Sequence, residues 1–156
     1  MAARAAARRK AGERELYFFR ESAFYWFGHL EDHFNRLLLR AMRPERLTVA
    51  RWRCLAVLAE EDGIPLGELA EQTVIERPAL THVIDQMEND GLVVRRGEEA
   101  DRRVVKVDLT AEGRALFERV LPKARAVYAQ ALATISAKDY DLMLGMLKRM
   151  AANLKE

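Results

Sequence analysis

The side chains of this chain best suited to chemistry are its arginines, and their spacing suits phosphates and base edges better than covalent catalysis. Arg95, Arg96, Arg102, Arg103 and Lys106 crowd two β-branched runs, Leu92–Arg96 and Arg102–Asp108. The runs are separated by Gly97-Glu-Glu-Ala-Asp101, which predicts a hairpin. A basic hairpin can lay Arg along phosphates or into a minor groove. Asp101 cannot face phosphate comfortably and is expected to pair with Arg103 and orient the tip. A second group precedes it. Arg77, Ala79, Thr81 and His82 lie off the apolar stripe Leu80, Val83, Ile84 and Met87, near the start of a helix predicted over Pro78–Asn89. Short polar and basic side chains at a helix N-terminus suit a major groove, with Arg77 able to reach guanine O6 and N7. The bland alternatives are a solvated basic hairpin edge and a helix-turn-helix used for protein contacts. Nothing resembles a Gly-rich phosphate loop, a Ser/His/Asp set or a complete metal site, so neither an enzyme nor a cofactor is expected.

These groups need a scaffold, and hydrophobic periodicity supplies one. Glu13 to Met42 reads as one long helix with Tyr17, Phe24, Phe27, Leu30, Phe34, Leu37, Leu38 and Ala41 at helical spacings. Phe18, Phe19, Tyr25 and Trp26 fall outside that stripe, and a helix apolar on several sides must be covered on several sides. A partner subunit is the simplest cover. Pro44 ends it, and Thr48 caps a second helix with Trp52, Leu55, Ala56, Leu58 and Ala59 as its core face. Pro65–Gln72 reads as a short helix with Pro at its start. Thr73-Val-Ile-Glu76 offers a capping box, but the following helix is placed at Pro78, where a missing amide proton is harmless. After the hairpin, Thr110 caps a helix to about Thr134 with a kink expected at Pro122. Ser136-Ala-Lys-Asp139 starts the last helix, carrying Leu142, Met143, Met146, Leu147, Met150 and Leu154.

The expected fold is therefore mainly α with a small β wing: a winged helix-turn-helix lobe over 46–109, and a helical dimerisation lobe from 13–45 and 110–156. Residues 1–12, with Arg4, Arg8, Arg9 and Lys10, read as a basic tail or a fraying helix extension rather than a transit peptide. The chain has 156 residues, half of them hydrophobic, and a net charge of only +2. Local placement of charge must therefore carry any nucleic-acid argument. No window is apolar enough for a membrane span. One cysteine, Cys54, permits no intrachain disulfide and fits a reducing cytoplasm.

At this point the chain resembles a known family. Leu92-Val-Val-Arg-Arg, Asp101-Arg102-Arg103 and Val107-Asp-Leu-Thr-Ala-Glu-Gly113 are similar to the MarR-type wing and its lead into the next helix. Leu47-Thr48 through Trp52-Arg-Cys-Leu55 resembles the family's second helix. Arg77-Pro-Ala-Leu-Thr81 with Met87-Glu-Asn-Asp-Gly-Leu92 resembles its recognition helix and exit. The resemblance runs from about Leu16 to Leu154. It implies a homodimer built from the first and last two helices, binding double-stranded DNA at pseudo-palindromic half-sites ~34 Å apart. It places Arg102 and Arg103 at the wing tip. The sequence departs from this pattern in the acidity of its recognition helix, where Glu76, Asp85, Glu88 and Asp90 crowd together.

The resemblance also implies a small-molecule effector, an aromatic carboxylate or its coenzyme-A thioester, that releases a repressor from DNA. Arg20, Phe24, Tyr25, Trp26, His29 and Arg51 are the candidate ligand residues, although the rings can equally fill a dimer core. Two other switches are weighed. His29 and His33, four apart on one helix, can share zinc but lack an obvious third ligand. Cys54 is an oxidation sensor only if exposed and acidic, and its place between Trp52 and Leu55 predicts a buried structural thiol instead.

Overall fold

The computed structural model describes residues 19–97 and 104–155. They fall into two compact units, one ending at Arg36 and one running from Leu37. A 3-10 turn, Phe19–Glu21, precedes helix α1, Ala23–Met42. The long first helix was expected from Glu13. Instead, Ser22 Oγ accepts from the Phe24 amide at 3.2 Å, and α1 begins between them. Residues 13–18 lie outside the described residues. In the first unit the rings of Phe24 and Phe27 meet edge to face at 5.8 Å, and Tyr25 lies 4.3 Å from His29. Phe24 and Trp26 are each 61% exposed and Leu30 56%.

The second unit holds helices α2 (Val49–Glu60), α3 (Leu66–Thr73), α4 (Arg77–Asn89), α5 (Ala111–Ala131) and α6 (Ala137–Asn153). Its strands are β1 (Ile64–Pro65), β2 (Val93–Gly97) and β3 (Val105–Leu109), antiparallel in the order β1-β3-β2. The caps follow from local chemistry. Thr48, Thr110 and Ser136 side chains accept from the amides of Arg51, Gly113 and Asp139, satisfying donors that a helix start otherwise leaves unpaired. Pro78 falls in the first turn of α4, as expected. Thr73 starts nothing. It is buried in α3, and its hydroxyl donates to the Leu69 carbonyl at 2.6 Å.

The core gathers Leu55 and Leu58 of α2, Leu69 of α3, Leu80, Ile84 and Met87 of α4, Val107 of β3 and Val120 of α5, all essentially without solvent exposure. Burial of such side chains stabilises by roughly 1.5–3 kcal/mol each. Ala56 and Ala59, expected on the α2 core face, are only half-buried. Trp52 stacks on Phe117 at 5.5 Å, and Glu45 accepts from Lys123 at 2.8 Å and Arg119 at 3.3 Å, so α5 is held at both places. These two cations, Lys123 foremost, hold the Glu45 carboxyl below its ordinary pKa.

The sequence reading missed β1. Two residues carry no alternation to detect, and Pro65 is tolerated there because β1 is an edge strand. Pro65 consequently precedes α3 rather than opening it. The hairpin strands are shifted from the expected 92–96 and 102–108 by one to three residues. Helix α5 ends at Ala131 rather than near Thr134, and its helical run continues through Pro122.

Candidate nucleic-acid interface

Helix α4 has three faces, separated by the 3.6-residue period. Leu80, Ile84 and Met87 are buried. Thr81, Asp85 and Glu88, spaced four and three apart, share a second face, and Arg95 of β2 meets all three. Its guanidinium donates to Glu88 at 2.6 Å, to Asp85 at 2.6 Å and to the Thr81 carbonyl at 3.3 Å. Its backbone amide donates to the other Glu88 oxygen at 3.0 Å. The third face carries Pro78, Ala79, His82, Gln86 and Asn89, all exposed and none acidic.

The acidity of this helix thus has a structural account. Asp85 and Glu88 share the single guanidinium of Arg95, which offsets one of their two charges, and Asp90 is paired with Arg51 of α2. Glu76 remains exposed as the residue that precedes α4, with no side-chain cap bond to the helix.

The candidate residues therefore divide. Ala79 and His82 lie on the exposed third face, His82 sharing a 2.9 Å hydrogen bond with Gln86. Thr81 turns its hydroxyl back to the Arg77 carbonyl at 2.9 Å. Arg77 is exposed and lies against α3. A Cβ at Gly67 would sit 2.7 Å from its guanidinium, so the glycine makes room for it. Arg95 and Arg96 point to opposite sides of β2, as neighbours on a strand must. Arg96 is the outer one, its side chain 69% exposed and 3.3 Å from Asp108. Arg95 was expected on DNA together with Arg96, but its side chain is 23% exposed and bonded to α4. Asp101, Arg102 and Arg103 lie outside the described residues.

Two exposed residues fall outside the sequence expectations. Gln86 shares the exposed face with His82, and a carboxamide is well matched to adenine N6 and N7. The helical period could have found it, since Ala79, His82 and Gln86 are three and four apart. Val74 lies in the turn between α3 and α4, 83% exposed with φ 54°. A β-branched residue is rare in that left-handed region, and no sequence period signals it.

The other candidate sites are simpler. Arg51 has a side chain only 14% exposed, and its buried Nε has no hydrogen-bond partner. In the first unit, Arg20, Phe24, Trp26 and His29 are exposed and Tyr25 half-buried. The His29 and His33 rings are 6.0 Å apart, and among the described residues no three His, Cys, Asp or Glu side chains converge as metal ligands do. Cys54 is fully buried, and burial pushes its thiol up to about 12, the opposite of what a thiolate sensor requires. Among the described residues no helix is long and apolar enough to cross a membrane.

The family model described as MarR family matches residues 47–105, the segment from the α2 cap into β3. The homoprotocatechuate degradative operon repressor of Escherichia coli is 32% identical over 71% of this chain and 75% of its own length. This chain belongs to the MarR family. A second relative, the transcriptional activatory protein BadR of Rhodopseudomonas palustris, is 35% identical over 74% of this chain and 69% of its own. A MarR-family regulator from Silicibacter pomeroyi superposes with a TM-score of 0.80 at 31% identity, covering 94% of this chain and 97% of that one. The repressor CouR bound to a 23-mer DNA duplex superposes at 0.74 with 27% identity, covering 89% and 99%. NadR in complex with 4-hydroxyphenylacetate does so at 0.75 with 27% identity, covering 86% and 94%. MarR proteins are DNA-binding transcription regulators, and the winged helix-turn-helix described above is their fold.

Proposed function

We propose that this MarR-family chain is a homodimeric, cytoplasmic repressor that reads a pseudo-palindromic operator through α4 and the wing. The carrying observation is the third face of α4. Ala79, His82 and Gln86 are exposed there, while the acids that would repel phosphate are drawn onto two arginines, Asp85 and Glu88 sharing Arg95 and Asp90 holding Arg51. Arg77 at the start of α4, Arg96 on β2 and the wing residues Arg102 and Arg103 would supply the phosphate and groove contacts. Asp101 would orient the wing tip. The DNA-bound CouR neighbour supports the reading.

A second copy of the chain would cover the apolar faces that one copy leaves bare. Helix α6 has no buried residue, yet Leu142, Met143 and Met146 are 55%, 38% and 45% exposed. MarR proteins bind DNA as dimers, which supports this use of the face.

The effector we propose is an aromatic carboxylate or its coenzyme-A thioester. Arg51 Nε is a buried donor without a partner, and a carboxylate oxygen would satisfy it once the side chain turns to expose it. NadR, solved with 4-hydroxyphenylacetate, supports the ligand class. The effector would act by favouring a dimer form that misses the half-sites, and operator DNA must then weaken effector binding by the same factor.

Anisotropy titration against the DNA upstream of its own gene, at two salt concentrations and with a panel of phenolic acids and their thioesters, tests all of this. Tight, salt-sensitive binding abolished by one compound is expected. No specific binding at either salt would overturn the regulator reading in favour of a protein-interaction module.

A further inference from the structure

We infer that Arg95 is a positioning residue, a clamp that sets the recognition helix against the wing, and not a contact to DNA. The inference rests on the DNA-binding reading above and deepens it. By type and spacing it is one of several arginines suited to phosphate, and the structure gives it different work. Its guanidinium spans Glu88 at 2.6 Å, Asp85 at 2.6 Å and the Thr81 carbonyl at 3.3 Å, and its own amide closes on the second Glu88 oxygen at 3.0 Å. One side chain therefore ties β2 to two successive turns of α4.

Three physical features make this a geometric device rather than a generic ion pair. The guanidinium is planar with donors in a fixed fork, so carboxylates on two turns of a helix constrain its direction as well as its distance. Glu88 is held at both oxygens, once by a side chain and once by the strand backbone, so the strand cannot slide along the helix without breaking both bonds. The Arg95 side chain is 23% exposed, beside fully buried Val107 across the sheet, while Asp85 and Glu88 are 49% and 37% exposed, so water screens the acid ends and the clamp acts through direction more than strength. The neighbouring Arg96 pairs with Lys106 across the same ladder and carries its charge outward. The clamp acts on specificity. Reading bases requires α4 and the wing to meet their grooves together, whereas non-specific binding requires only net positive charge near phosphate.

The test starts from a duplex that the wild-type protein enriches from a random-sequence pool. Affinity for that duplex and for an unrelated duplex is then measured across a salt series for wild type, Arg95→Gln, Arg95→Lys and the pair Asp85→Asn with Glu88→Gln. Expected is a loss of about tenfold to a hundredfold for the enriched duplex in all three variants. The unrelated duplex should change only as the altered charge dictates, slightly weaker for Arg95→Gln, tighter for the carboxylate pair and unchanged for Arg95→Lys, so that the ratio of the two affinities falls in all three variants. Lysine should not rescue, because it keeps the charge and loses the fork.

A loss shared equally by both duplexes with a slope smaller by about one would make Arg95 a phosphate contact and overturn the inference. So would rescue by lysine, tighter binding of the enriched duplex by the carboxylate variant, or no change in any variant. If Arg95→Gln fails to fold, the carboxylate variant, which retains the arginine, decides between the same outcomes. A pool that yields no enriched duplex with wild-type protein overturns the DNA-binding reading itself. Enrichment followed by any of the contrary variant results overturns the clamp alone.

Discussion

Arg51 on the second helix holds Asp90, the residue that closes the recognition helix, so the far end of that helix is tied to the element that packs behind it. The two ends of this pair differ. Arg51 is 14% exposed in its side chain and Asp90 55%, so the acid is well hydrated and the base is not. Asp90→Asn should cost about 1 kcal/mol, a modest figure because water screens the acid. Arg51→Met added to it should cost nothing further, since it removes a buried donor that already lacks a partner at Nε. Urea denaturation of the two variants checks this. A double variant less stable than Asp90→Asn by another kcal/mol would show that the Arg51 stem matters more than its charge.

Val74 should be replaceable with profit. Its φ of 54° puts a β-branched side chain in the left-handed region. An L-residue there costs roughly 1–2 kcal/mol, partly offset in glycine by chain entropy. Since Val74 is 83% exposed, little burial is lost. Val74→Gly should stabilise by about 0.5–1 kcal/mol, and Val74→Ala, which keeps the Cβ, should not. Thermal melts of both variants decide it.

Gly113 should tolerate nothing larger. A Cβ there would lie 2.0 Å from the Leu92 carbonyl oxygen and 3.0 Å from its carbon, both backbone atoms. That carbonyl also accepts from the Thr110 amide at 3.1 Å, so it cannot retreat without loosening the α5 cap. Gly113→Ala should destabilise by about 2–3 kcal/mol, read as a lower urea midpoint with unchanged slope.

Cys54 should resist alkylation at pH 8 in the native protein and react in urea. Burial raises its thiol from 9.0 to about 12, so the folded state holds this proton more tightly than the unfolded chain. The associated stability is fully present below 9.0 and is lost as pH climbs from there toward about 12. Denaturation midpoints measured across that window should fall more steeply for wild type than for Cys54→Ala. Equal slopes would show that the thiol does not contribute.

The apolar face of α6 gives the oligomer prediction. Leu142→Glu with Met146→Glu places two charges on a face now 55% and 45% exposed at those positions, so the folded subunit should tolerate them. Sedimentation should show a dimer for wild type and a monomer for the variant. A monomeric wild type at micromolar concentration would sink the dimer reading.

The amino-acid sequence by itself determined the features that local chemistry controls. Thr48, Thr110 and Ser136 cap their helices because a hydroxyl one turn from bare amides has no better partner nearby. The core face of α4 follows from the spacing of Leu80, Ile84 and Met87, and the hairpin from two β-branched runs around a turn. The cluster of arginines around the hairpin was legible, but not which arginine remains available. Alternation puts Arg95 and Arg96 on opposite faces of a strand without saying what stands opposite each. Only the packing of β2 onto α4 brings Glu88 and Asp85 to Arg95 and leaves Arg96 outside. The same packing draws the three acids of this helix onto two arginines, Arg95 and Arg51, and away from its exposed third face. Periodicity assigns faces within an element; the partner of a face is set by burial and charge pairing across the fold, which only the tertiary structure decides.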